Sequence, residues 1–268
     1  MPLIDQTAAA RALLRWYADS GVDEATAINP ANCFLTADPM PRLAINRTPE
    51  KSPATIAPIV PIPQFSSDEA VAAARRLAAQ CTTIEALAGA VAAFEGCPLK
   101  AGARNTVFAD GVFGAPLLVI GEAPGKDEDL TGKPFVGRAG QLLDRMLASI
   151  GRSRTRDTLI SNVIYWRPPG NRTPAQTEIA VCKPFVERLI ELTNPRAIML
   201  AGGVPTQALL GAAGIMRARG LWREIELTSG ARFPALPVFH PAFLLRQPAQ
   251  KRMAWRDLQA LAARLTTD

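Results

Sequence analysis

Histidine is nearly missing: among 268 residues there is one, His240, so whatever chemistry the protein performs has a single imidazole to use. Cysteine is scarce too. Four (Cys33, Cys81, Cys97 and Cys182) are too few for a disulfide scaffold, and the Met1 end lacks a basic, apolar, small-residue leader. A reduced, cytoplasmic setting is therefore expected. No run approaches the roughly 18 uninterrupted apolar residues of a membrane span, so no membrane partner is expected. Neither a Walker loop nor a Gly-x-Gly-x-x-Gly fingerprint is found, which removes the common nucleotide-binding loops. What is present is globular: 48% hydrophobic and 20% charged residues. At about 150 residues per domain, the length suits one good core plus an appendage. The net charge of +6 is uneven: residues 1–110 carry 9 Lys+Arg and 11 Asp+Glu, whereas 111–268 carry 21 and 13. A polyanion would bind the second part.

Apolar residues at helical spacing predict a short helix over Thr7 to Ala18, followed by a proline-rich stretch at 29–65 that reads as a linker. Ser66-Ser67-Asp68-Glu69 opens a helix to about Gln80, and another covers Thr83 to Phe94. Strand-like and helix-like stretches then alternate. Strands are expected at Leu117–Ile120, Leu159–Ile164, Ala197–Leu200 and Pro237–Phe239. Helices are expected at Ala139–Ile150, from a capping box at Thr173-Pro174 toward Leu192 with a bend at Pro184, at Pro205–Leu210, and at Ala254–Leu265. This is a three-layer α/β/α fold with a mostly parallel four-stranded sheet over 91–268, preceded by an N-terminal helical extension over 1–90.

The unusual residues fall just past, or late in, the apolar runs: Glu122, Asn162, Gly202-Gly203 and His240. Ligands of open parallel sheets bind at the carboxyl ends of their strands, so these should meet in one crevice. Gly121-Glu122-Ala123-Pro124-Gly125 makes a stiff turn with Glu122 at its tip. Phe135, in Gly132-Lys133-Pro134-Phe135-Val136-Gly137, offers a ring for stacking a planar ligand or plugs its loop to the core. Asn162 can read the edge of a base, or simply close its strand. Arg167-Pro168-Pro169-Gly170-Asn171-Arg172 is a basic loop suited to phosphate. His240-Pro241-Ala242-Phe243-Leu244-Leu245-Arg246 sets an apolar wedge beside cations, the means by which proteins open a base stack.

With these motifs in this order and spacing, residues 97–258 resemble the family 4 uracil-DNA glycosylases. The resemblance implies a monofunctional hydrolase of base excision repair, acting as a monomer on single- or double-stranded DNA containing uracil. Phe135 would stack on the flipped base and Asn162 bind its edge. Ala123 and Glu128 would support the pocket, His240 would donate to the leaving base, and Glu122 would position water. Gly125, Arg167, Arg172, Gly202, Gly203 and Arg246 would contact DNA, with Leu244 or Leu245 filling the vacated stack. The alternatives are a glycosylase for hypoxanthine or xanthine, or a silent relative that binds uracil-containing or abasic DNA.

The chain departs from that family at the [4Fe-4S] cluster. The family holds it with four cysteines; Cys97 and Cys182 match two of the positions, but Phe94 and Trp166 stand at the other two. No cofactor is expected, the alternative being a cluster completed by Cys33 and Cys81. The loop after Asn162 also lacks the histidine of a covalently trapping branch, so turnover is expected.

Overall fold

Leu117–Gly121 (β2) has no polar side chain and is buried throughout, so it needs a strand on each side and a helical layer on each face. The computed structural model describes residues 67–212 and 214–266, all within one compact unit that begins at Val60. There β2 lies between Thr158–Asn162 (β3) and Ala197–Ala201 (β4), parallel to both, and Arg232–Val238 (β6) runs parallel to β4. Ala109–Gly111 (β1) adds antiparallel to β3, and Arg223–Glu226 (β5) antiparallel to β6, giving the order β1-β3-β2-β4-β6-β5.

The four expected strands are thus the parallel centre of a six-stranded mixed sheet. Both edge strands escaped notice for a physical reason. β1 is three residues with a charged middle, and β5 buries only Ile225 among exposed charges, so neither leaves a readable apolar period. Charged, short edges also discourage pairing with another chain.

Alternation along the strands feeds two cores. Leu118, Ile120, Ile198 and Leu200 face helices α1 (Ser67–Gln80), α2 (Ile84–Ala93) and α5 (Gln176–Thr193). Leu117, Val119, Met199 and Leu236 face α4 (Arg138–Ala148), α8 (Pro241–Arg246) and α9 (Lys251–Thr266). The shorter α3 (Lys126–Thr131), α6 (Gly203–Leu210) and α7 (Ile215–Ala218) complete the described helices. No helix among them is long and apolar enough to cross a membrane.

Several helix ends follow their local chemistry. The Thr83 side chain accepts from the Ala86 N–H at the start of α2, at 3.1 Å. The start of α5 is shifted from expectation: the helix begins at Gln176, not Pro174, because the Glu178 carboxylate accepts from the Ala175 N–H at 2.7 Å. Pro184 is accommodated inside α5. The proposed helix at Thr7–Ala18, the proline-rich stretch and Cys33 lie outside the described residues.

Helices α1 and α2, assigned above to the extension, share the core beneath the sheet. Ala70, Ala74 and Ala78 form a small, buried face on α1, and Arg188 Nε of α5 donates to the Cys81 carbonyl at 2.8 Å. Leu87 of α2 is fully buried. Leu87→Ala is therefore expected to lower the unfolding free energy by about 2–5 kcal/mol, read as a shift of the urea midpoint. An appended helix would instead leave the sheet's own transition where it is.

Candidate active site

Gly121 and Asn162 are register partners at the carboxyl ends of β2 and β3. A Cβ on Gly121 would stand 2.4 Å from Asn162 Oδ1 and 2.5 Å from the Phe135 ring. Glycine is required here so that carboxamide and ring can converge. They form the floor of a cleft of about 500 Å³ whose lining also includes Glu122, Ala123, Gly125, Glu128, Arg172, His240 and Arg246. A shallower recess of about 890 Å³ lies by the amino ends of β4 and β6, lined by residues such as Arg196 and Trp222, and none of the motif residues reaches it.

Phe135 has a left-handed backbone (φ 54°), unfavourable for a bulky residue by about 1–3 kcal/mol, and is held from two sides. Arg154 donates to the Phe135 carbonyl at 2.8 Å and the Pro134 carbonyl at 3.1 Å. Asp110 and Asp144 fix that guanidinium at 3.0 and 2.9 Å. From the other side Glu128 accepts from the N–H groups of Val136 and Gly137, each at 2.9 Å, and of Gly125 at 3.1 Å. Glu128 thus ties the two loops of the cleft together. Gly140 permits the turn to close, since a Cβ there would fall 1.8 Å from the Phe135 carbonyl oxygen. Arg154, Asp110 and Gly140 belong to none of the motifs read above. Asp110 and Arg154 are 44 residues apart, and only the fold brings them together.

Asn162 is buried, and its Oδ1 has no hydrogen-bond partner among the described residues. Leaving such an acceptor unpaired costs on the order of 1–3 kcal/mol, which a donor entering the cleft would recover. Glu122 is half-buried at the cleft wall, and burial raises its carboxyl above the ordinary glutamate range. His240 caps α8: its Nδ1 accepts from the Ala242 N–H at 3.1 Å, which leaves the proton on Nε2. Burial above all, then the charge of Arg246, lowers its pKa to about 4 against the opposing pull of Glu128. The imidazole is a neutral donor near pH 7. It lies 5.6 Å from the Phe135 ring centroid with the planes 29° apart.

The remaining sequence candidates divide. Gly202 is buried, and its missing Cβ would lie 3.2 Å from that of His240, so it backs the imidazole instead of meeting a phosphate. Its neighbour Gly203 is exposed at the start of α6. Arg172 lines the cleft, but its guanidinium is paired in two-pronged fashion with Glu178 at 2.6 and 3.0 Å. Arg167 stands outside the lining, its Nε donating to Asn171 at 2.7 Å. Leu244 is corrected outright. It is 1% exposed within the core, because α8 turns it inward and away from the position of a stack-filling wedge. Leu245 is partly exposed on the same helix.

At the position implied for an iron–sulfur cluster, the residues do not fit one. Cys97 and Cys182 are buried against each other. Their mutual hydrogen bond pushes the Cys182 thiol up and pulls Cys97 down, and burial raises both. Phe94 packs edge-on against Phe185, centroids 5.2 Å apart, and Trp166 Nε1 donates to Thr106 at 3.0 Å. Cys81 donates to the Leu77 carbonyl. Among the described residues no three metal-ligating side chains of the His, Cys, Asp or Glu type come together, whereas such a cluster needs four ligands.

Residues 108–259 match the family model described as the uracil DNA glycosylase superfamily. The chain is similar to the type-4 uracil-DNA glycosylase of Thermotoga maritima, 35% identical over 165 residues that cover 61% of this chain and 84% of that protein. It is 37% identical to the type-4 uracil-DNA glycosylase of Pyrobaculum aerophilum over 167 residues, 60% of this chain and 84% of the relative. With that of Archaeoglobus fulgidus it shares 39% over 157 residues, 57% and 78% of the two chains. The family match takes in more than half of the sequence and every strand of the sheet's parallel centre, and the chain belongs to the uracil DNA glycosylase superfamily.

Proposed function

We propose that the protein is a monofunctional uracil-DNA glycosylase of base excision repair. The observation that carries this reading is the buried, unpartnered Asn162 Oδ1 beside a clamped aromatic ring. Uracil turned out of the stack enters the cleft at a cost of a few kcal/mol for unstacking. Its face lies on Phe135. Its N3–H donates to Asn162 Oδ1 and its O4 accepts from the Asn162 amide, whereas cytosine offers an acceptor and a donor in those places. As the bond between C1′ and N1 breaks, the bonding electrons pass to the base, and His240 Nε2–H stabilises the negative charge on O2. Water adds to C1′, and its proton goes to Glu122, whose carboxylate also offsets the positive charge building on the sugar. The uracil anion takes up a proton from solvent and Glu122 returns one to the solvent, so free uracil and an abasic site result.

Catalysis is assigned to residues 91–268, with α1 and α2 of the 1–90 extension completing their core, and the enzyme is read as a cytoplasmic monomer. Ala123 and Glu128 support the pocket through the two loops. Gly125, Arg167, Arg172, Gly203 and Arg246 are assigned to DNA, with Leu245 taking the wedge. The aromatic packing of Phe94 and Trp166, with α1 and α2 against it, stiffens the fold where relatives would use a cluster.

Incubation with oligonucleotides carrying uracil, hypoxanthine or xanthine, followed by alkali, tests the activity: strand breaks are expected at uracil. Breaks only at another base would reassign the substrate, and none at all would sink the enzyme reading. Asn162→Ala and His240→Ala are each expected to lower kcat/KM by about 10²–10³-fold, measured on folded protein.

The acid limb of kcat should follow Glu122, which works as the carboxylate. Because burial raises its pKa, activity should begin to fall at a pH above the ordinary glutamate range as pH decreases, while His240 stays neutral until about 4. Glu122→Gln should abolish this limb and lower kcat by about 10²–10⁴-fold. The purified protein should be colourless, without stoichiometric iron; a broad brown absorbance would refute the cluster-free reading.

A further inference from the structure

One strongly exposed aromatic side chain stands outside the cleft on a basic helix face: Trp255 of α9, 44% exposed. The buried side of α9 is Ala254, Leu258, Leu261 and Leu265. Lys251, Arg252, Trp255 and Arg256, at i, i+1, i+4 and i+5, share a different, solvent-facing side. Arg145 of α4 joins Trp255 and Lys251 across a groove of about 250 Å³ floored by Leu142, Met146 and Leu258. None of these four cations forms an ion pair among the described residues, whereas Arg152, Arg154, Arg172 and Arg219 are all paired. Four uncompensated charges around an exposed indole form an electrostatic surface for a polyanion with planar groups.

Helix α8 borders both the groove and the cleft. Leu244 of α8 contributes to the groove wall, while Arg246, two residues further on the same helix, lines the cleft. The platform is also rigid. Asp257, on the inner side of α9, is held by Arg219, whose Nε donates to it at 2.8 Å and whose guanidinium lies 5.2 Å from the Phe239 ring centroid. Phe239 directly precedes His240, so the helix bearing Trp255 and the strand end bearing the imidazole are braced by the same arginine.

We infer that Trp255, with Arg145, Lys251, Arg252 and Arg256, is a second DNA contact on which an unpaired base flanking the flipped uracil stacks while the cations hold its phosphates. This rests on the uracil-DNA glycosylase reading. The occupant is the substrate strand itself: its negative backbone matches the cations, its bases match the indole face, and α8 borders both the groove and the cleft. Such a contact adds uniform binding, so it acts on KM and leaves the chemical step unchanged.

The test compares a long single-stranded oligonucleotide carrying one uracil with a uracil trinucleotide too short to span both sites. Trp255→Ala should lower kcat/KM on the long substrate about tenfold, through KM, and leave the trinucleotide unchanged. Trp255→Phe should restore most of the loss because it keeps a ring face. Binding of a long oligonucleotide with an abasic analogue should quench tryptophan emission in the unaltered protein and much less in the Trp255→Phe variant. Replacing Arg252 and Arg256 together by Gln should reduce the slope of log affinity against log salt by about 1.4 for a single strand. Equal losses on both substrates, or no loss with quenching intact, would overturn the proposal. So would a changed sedimentation coefficient with unaltered DNA affinity, which would assign the face to a second copy of the chain. If the unaltered protein excises no uracil, the function reading fails, yet the quenching and salt slope still decide whether DNA sits on Trp255.

Discussion

The cleft depends on a close approach at Gly121. Only a residue without a Cβ lets the Asn162 carboxamide and the Phe135 ring reach the same point above the end of β2. The approach in turn requires the register of β2 against β3, which sets Gly121 opposite Asn162; a slip of one residue would turn the carboxamide to the other face of the sheet. The ring can be there only because Phe135 accepts a left-handed backbone, and that strain is offset by Arg154 on its carbonyl and Glu128 on the following N–H groups. A recognition surface is thus prepared before a ligand arrives, so little ordering is left for binding to drive.

The neutral state of His240 follows from its position in the same frame. Gly202 allows the imidazole to sit close against the start of α6, the Ala242 N–H occupies Nδ1, and burial disfavours a second proton. A neutral donor can strengthen its hydrogen bond as charge develops on a departing base without first losing a proton. Glu122, facing the same space with a raised pKa, remains the basic group. Two titratable side chains lining one cleft are shifted in opposite directions chiefly by burial.

Below the sheet the chain fills space with apolar bulk. Phe94, Trp166 and Phe185 pack with α1, α2 and α5 around two buried thiols, and the burial of each large side chain contributes about 1.5–3 kcal/mol. Helices that the sequence suggested were peripheral are part of this core, since Ala70, Ala74 and Ala78 let α1 lie close on α5.

Local chemistry made much of this legible in advance. Continuous apolar runs marked the four parallel strands, and glycine, proline and polar residues just beyond them marked the cleft. The edge strands were too short and too charged to show a period. The inward turn of Leu244 depends on where α8 meets α4, which its apolar neighbours in sequence do not reveal. The pairing of Arg172 with Glu178 and the clamp from Asp110 through Arg154 to Phe135 join residues whose side chains carry no mark of their partners. The sequence by itself determined which groups are chemically able to read and release a base, because that is a property of side chains. Only the tertiary structure decided which of them are free to do so, because packing and ion pairing are settled by residues distant in the chain.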